Sequence, residues 1–153
     1  MEHEDFMRAA LALAREAAER GEVPVGCVLV RGGEIVGRGR NRREETQSAA
    51  SHAEMEAIAD ANARLGTWRL DGCSLYVTLE PCPMCAGAIV NARIKKVYYG
   101  ARDEAMGACG GVLNLFMERF PNTPELVGGL LADECRAALG DFFRALRRSN
   151  RST

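Results

Sequence analysis

Leu75-Tyr76-Val77-Thr78-Leu79-Glu80-Pro81-Cys82-Pro83-Met84-Cys85 is the stretch on which the reading of this chain turns. Its first five residues form a short apolar run rich in β-branched and aromatic side chains, the pattern of a buried strand. Two prolines follow, and both suit a helix start, where a missing N–H costs little. The stretch therefore reads as a strand that hands Glu80 and two cysteines to the first turn of a helix. Cys82 and Cys85 stand three apart, so both sulfurs face one way on that turn.

Thirty residues before Cys82 lies Ser51-His52-Ala53-Glu54, also at an expected helix start. A catalytic zinc takes three protein ligands and keeps a fourth position for water. His52, Cys82 and Cys85 supply three, for one Zn²⁺ per chain. Such a metal would lower the pKa of water toward neutrality. Glu54 is too close to His52 to share its direction in mid-helix, but at a helix start it leans over the metal as a proton carrier. A structural zinc knuckle needs a fourth ligand, and the only other histidine, His3, lies in an N-terminal stretch that reads as disordered. A redox C-x-x-C pair gives no reason for H-x-E. An exposed helix-start carboxylate is the plainer role for Glu54. H-x-E joined to P-C-x-x-C is the signature of zinc nucleobase deaminases.

Working outward, residues 5–20 carry Phe6, Ala10, Leu13 and Ala17 at helical spacing, closed by Gly21. Residues 25–40 read as a hairpin about Gly32-Gly33. Residues 41–51 are a polar loop, and 52–65 a helix that buries Met55, Ile58 and Ala59. Val97-Tyr98-Tyr99 is a fourth strand, followed by a glycine-rich loop from Gly100 to Gly111 and a short helix near 113–118. Glu125-Leu126-Val127 is a fifth strand, and 131–148 the last helix. The alternation predicts one domain over residues 1–153, an α/β fold of three layers, α/β/α. A single mixed sheet of five strands would carry helices on both faces.

With 153 residues the chain is long enough for a real core. The net charge of −1 argues against a uniformly basic surface. Local clusters remain: Arg38, Arg40, Arg42 and Arg43 after the hairpin, and Arg144, Arg147, Arg148 and Arg151 at the end. Each reads equally as a solvated face or a nucleic-acid contact. The acidic start is unlike a signal peptide, and no apolar run approaches the roughly 18 residues of a membrane span. Cys27, Cys73, Cys109 and Cys135 then read as reduced structural thiols and the location as cytoplasmic.

Over most of its length the chain resembles the bacterial tRNA-specific adenosine deaminases. The residues that carry the resemblance are Glu22-Val23-Pro24-Val25-Gly26, Asn41-Arg42, His52-Ala53-Glu54, Tyr76 to Cys82, Met84 to Ala88, Ala92-Arg93-Ile94, Gly100-Ala101-Arg102-Asp103, Leu131 to Cys135 and Asp141-Phe142-Phe143-Arg144. The resemblance implies the cytidine-deaminase-like fold, a homodimer, and conversion of adenosine to inosine at the wobble position of a tRNA anticodon arm. It implies that Asn41, Ala53, Arg102, Asp103, Phe143 and Arg144 contact the substrate, with the adenosine flipped into the zinc pocket. A splayed base in a single-stranded loop is what proteins read best in RNA. Ser48-Ala49-Ala50-Ser51, Gly110-Gly111 and Thr123 depart from the usual family pattern. Guanine deaminases also carry H-A-E with E-P-C-P-M-C, so a free nucleobase is the alternative substrate. A non-enzymatic, zinc-stabilised RNA-binding module is the third reading.

Overall fold

The computed structural model describes residues 2–151, apart from the side chain of Arg151. The place of that side chain in the C-terminal arginine cluster thus lies outside the described residues. His3–Glu19 is the first helix (α1), with Phe6, Met7, Ala10, Leu11, Ala14 and Ala17 as its buried stripe. It starts earlier than the apolar spacing suggests, because His3 is fastened rather than disordered. Its Nδ1 stands 2.6 Å from the Tyr76 hydroxyl, and its ring stacks on Tyr98 with centroids 4.6 Å apart.

Gly26–Arg31 (β1) and Glu34–Arg40 (β2) form the expected hairpin. Its turn residues, Gly32 and Gly33, have φ of 58° and 79°, the left-handed pair that a tight two-residue hairpin turn requires. Residues 41–51 are not wholly loop: Arg43–Thr46 makes one helical turn (α2). Then come Ala53–Leu65 (α3), Cys73–Leu79 (β3), Pro83–Asn91 (α4) and Lys96–Ala101 (β4). The expected short helix near 113–118 is a single 3-10 turn, Leu115–Met117. Glu125–Gly128 (β5) and Ala132–Arg151 (α5) complete the chain.

The five strands form one mixed sheet in the order β2-β1-β3-β4-β5. β1 is antiparallel to β2 and β3, while β3, β4 and β5 run parallel. Alternate residues divide between two layers, as strand geometry dictates. Cys27, Leu29, Leu75, Val77, Val97 and Tyr99 pack with Ala53, Ala57, Ile58 and Ala61 of α3 and Ala86 and Ile89 of α4. Val28, Val30, Tyr76 and Tyr98 pack on the other face with α1 and with Cys135 of α5. The three-layer expectation holds.

One detail of α3 differs. Met55 is half-buried and Ala59 exposed, whereas Ala53, Glu54, Ala57, Ile58 and Ala61 are buried. The cause is backbone-to-backbone contact with β2. A Cβ on Gly39 would stand 2.2 Å from the Ala53 carbonyl oxygen, and one on Gly37 2.6 Å from that of Ala57. Alanines at spacing four, Ala53, Ala57 and Ala61, meet that surface, and this fixes which side of the helix faces the sheet. Cys27 pairs with Gly39 on one side and Val77 on the other. The C-terminal ends of β2 and β3 therefore lie at the same end of the sheet, and α3 and α4 follow from them. No helix among the described residues is long and apolar enough to cross a membrane.

Candidate metal centre and active site

His52 is the N-cap of α3 and Cys82 the N-cap of α4, and neither side chain caps its own helix. Both have extended backbone, φ −80°, ψ 156° and φ −76°, ψ 173°, which turns the side chains out of the helical path. Pro83 occupies the first turn of α4 and presents no wasted N–H there. Cys85 is one turn in and fully buried.

These residues form one cluster. The Cys82 and Cys85 sulfurs each lie 3.6 Å from His52 Nδ1, and all three ligand atoms lie within 4.8 Å of one another. Zinc–sulfur bonds of about 2.3 Å and zinc–nitrogen bonds of about 2.0–2.1 Å at a tetrahedral angle require S···N separations of about 3.6 Å. The spacing fits that geometry, and two thiolates with one imidazole are a donor set that suits zinc. Without the ion, the Cys85 thiol bonds to Cys82 and, with help from His52, holds the Cys82 pKa down at about 4. The same contact, with burial, raises the Cys85 thiol far above its ordinary value. Metal binding releases that retained proton.

Glu54 follows two residues after His52 and is 3% exposed. Burial is the main cause that pushes its carboxyl up to about 7. A surface helix-start carboxylate would not be desolvated in this way, so the plainer role for Glu54 does not describe it. Val23, Val25, Asn41, Arg43, Ala53, Leu79, Glu80, Asp103 and Met106 line a pocket with His52, Glu54 and Cys82. Its volume of about 180 Å³ is below the ~300–1,000 Å³ of sites that enclose drug-sized ligands. It has room for one ring system, with the remainder of a larger substrate outside.

Two buried carboxylates shape the walls, and sequence reading did not find their work. Glu80 is 2% exposed. Its Oε1 accepts from the Asp103 N–H at 3.1 Å, and its Oε2 from Cys109 and Gly111 at 2.9 and 2.8 Å. It thereby ties the 103–111 loop to the end of β3. Glu22, also 2% exposed, accepts from the Glu44 and Glu45 N–H groups at 3.0 and 2.8 Å and holds α2. A glutamate directly before Pro-Cys offers a faint signal for the first. The second has none, since its partners are backbone groups more than twenty residues away.

Of the substrate residues expected from sequence, Asn41, Ala53 and Asp103 line the pocket. Asn41 is buried, donates from Nδ2 to the Val23 carbonyl at 3.2 Å and accepts from the Arg43 N–H at 3.1 Å. The Asp103 carboxylate accepts from Ala105 and Met106 at 3.0 and 3.1 Å and so turns its own loop. Arg102 is exposed and donates to the Gly110 carbonyl. Phe143 and Arg144 are exposed on α5, where Arg144 pairs with Asp141, and neither lines the pocket. Phe142 is half-buried, edge-on to Phe143.

Residues 1–101 match the family model of the cytidine and deoxycytidylate deaminase zinc-binding region. The chain is 50% identical over 148 residues to the tRNA-specific adenosine deaminase of Bacillus subtilis (strain 168), covering 96% of this chain and 92% of that protein. A structure from work on A-to-I editing by tRNA:A34 deaminases at the wobble position of transfer RNA matches with a TM-score of 0.85 and 44% identity. That match covers 88% of this chain and 99% of the other. The guanine deaminase of Bacillus subtilis matches at 43% identity with a TM-score of 0.64, over 67% of this chain and 66% of its own.

Proposed function

The chain belongs to the zinc-binding cytidine and deoxycytidylate deaminase family and, within it, to the tRNA-specific adenosine deaminases, and on that premise we propose that it converts adenosine to inosine at the wobble position of a tRNA anticodon. The observation that carries the chemistry is a buried carboxylate, Glu54, on the same pocket wall as a three-ligand metal cluster. A non-enzymatic module has no use for a desolvated carboxylate at that place. The 50% identity to the tRNA-specific adenosine deaminase of Bacillus subtilis, over 96% of this chain and 92% of that protein, supports a polynucleotide substrate over a free base.

A zinc ion held by His52, Cys82 and Cys85 supplies Lewis acidity that makes water a nucleophile near neutral pH. The chain's residues do the rest. Val23, Val25 and Leu79 give the ring apolar walls, and Ala53 keeps the α3 start narrow. Glu54 takes a proton from the attacking water and delivers it to the ring nitrogen as a C–O bond forms at the adenine C6. It then carries the second water proton to the exocyclic nitrogen as the C–N bond breaks. Water and adenosine thus become inosine and ammonia. The small pocket admits a base that has left its stack, with Asn41, Ala53 and Asp103 in its lining, while Arg102, Phe143 and Arg144 contact the substrate outside it.

The whole chain acts as one deaminase domain, a reading supported by α1 and α5, from opposite ends of the sequence, packing on one sheet face. It pairs as a homodimer. Helix α4 carries no charged residue, and Met84, Val112, Leu113, Met117 and Phe120 are exposed on it and on the segment after β4, a surface that suits a partner. The cytoplasm is its location, which the six free cysteines support.

The test is incubation of an anticodon stem-loop carrying a wobble adenosine, beside free guanine, with the zinc-loaded protein. Inosine is expected in the stem-loop and none with Glu54→Gln, whose zinc content stays at one per chain. Ammonia from guanine with the stem-loop untouched would transfer the assignment to a free base.

A further inference from the structure

Three arginines close together near the pocket meet very different surroundings. Arg40 lies 3.6 Å from Glu16 and 3.1 Å from Glu45. Arg42 lies 2.6 Å from Glu45 and 3.6 Å from Glu56. Arg43 is exposed, and among the described residues its guanidinium has no hydrogen-bond or ion-pair partner. It is also the one lysine or arginine among the described residues that line the pocket.

The support beneath Arg43 is built, not incidental. Its N–H is held by Asn41 Oδ1 at 3.1 Å. The next two N–H groups are held by the buried Glu22 carboxylate. Asn41 itself is anchored to the Val23 carbonyl through its side chain and to that of Val25 through its backbone N–H. Burying a carboxylate is costly unless its bonds are kept, so this turn is fixed in position. The free cation is presented at the pocket from a rigid base.

Charge explains what it faces. Glu54, Glu80 and Asp103 line the same pocket, and a polyanion that brings a base there approaches three carboxyl groups. A guanidinium binds phosphate through two parallel N–H bonds, and phosphate contacts fix the register in which a base is presented. We infer that Arg43 binds a phosphodiester of the RNA strand next to the inserted base, and so favours a polynucleotide over a free base. This rests on the deaminase function proposed above.

The experiment is equilibrium binding of a fluorescent anticodon stem-loop to zinc-loaded protein across a salt series, in a Glu54→Gln background that prevents turnover. Each phosphate contact adds about 0.7–0.9 to the slope of log affinity against log salt. Arg43→Gln is expected to remove one such increment, so that the fall in affinity from about 50 to 200 mM salt shrinks about threefold. Arg43→Lys is expected to keep the slope. Arg64→Gln, at the far end of α3, removes the same charge and is expected to leave the slope alone. Melting temperatures of the variants verify folding; among the described residues the Arg43 side chain has no partner to lose, and Arg64 loses only its surface pair with Asp60. A slope unchanged by Arg43→Gln, or changed equally by Arg64→Gln, overturns the role of Arg43 while leaving the deaminase reading intact. If the parent protein does not deaminate the stem-loop, that reading fails and the inference falls with it.

Discussion

Replacing Glu80 with glutamine should destabilise the zinc-loaded protein by about 3 kcal/mol and loosen one wall of the pocket. The figure follows from three bonds to one buried carboxylate, from Asp103, Cys109 and Gly111. Hydrogen bonds to a charged group contribute ~1.5–3 kcal/mol and neutral ones ~0.5–1.5 kcal/mol. An amide oxygen in the Oε2 position keeps Cys109 and Gly111 as neutral bonds and loses roughly 1 kcal/mol at each. The amide nitrogen then meets the Asp103 N–H donor to donor, and leaving that group unpaired costs ~1–3 kcal/mol more. Relief from burying a charge offsets part of the loss. For a chain of this size the melting temperature should fall by roughly 6–12 °C. Exchange of the Asp103, Cys109 and Gly111 amide protons should accelerate, while protection of the β1–β2 ladder persists at matched stability. Gly107→Ala tests the same anchor from the other side, since its Cβ would stand 2.1 Å from Glu80 Oε2 and 2.3 Å from the Asp103 carbonyl oxygen. Full protection of those three amides in Glu80→Gln, with an unmoved melting temperature, would refute the anchoring role.

Gly39→Ala sets a methyl 2.2 Å from the Ala53 carbonyl oxygen and 2.5 Å from the Ala57 nitrogen; overpacking of this kind costs ~1–3 kcal/mol. Because α3 must move, zinc affinity measured by chelator competition should fall with stability, and unchanged affinity would mean that β2 does not set the position of His52. Removing zinc should lower the melting temperature and one equivalent per chain should restore it, since a ligand at about 100 times its Kd stabilises by about 2.7 kcal/mol. A melt indifferent to chelation would count against the site. Tyr76→Phe removes the bond to His3 Nδ1 and should cost ~1 kcal/mol. His3→Ala should cost less in the Tyr76→Phe background than in the parent, where it loses both that bond and its stacking on Tyr98, and full additivity would show that the bond contributes nothing.

The metal site was legible because its chemistry is local. His52, Glu54, Cys82 and Cys85 lie in two short segments at helix starts, and helix starts are marked by spacing and by Pro83. The sheet was legible because alternation in Leu75-Tyr76-Val77 maps directly onto two packed layers. The buried side of α3 was not, because it depends on Gly37 and Gly39 in another element, and the apolar pattern of the helix alone admitted Met55 and Ala59 instead. The place of His3 was hidden for the same reason, since Tyr76 and Tyr98 lie far along the chain. Glu22 and Glu80 look in sequence like surface acids; only the fold supplies the backbone N–H groups that make burying them tolerable. The arginines show the limit most clearly. Arg42 and Arg43 are adjacent and chemically identical, yet Glu45 and Glu56 neutralise one and leave the other uncommitted. Whether a cation is part of a surface ion-pair network or available to a phosphate is a property of its neighbours in space. A charge cluster in sequence therefore locates a basic region without saying which member of it is free to bind.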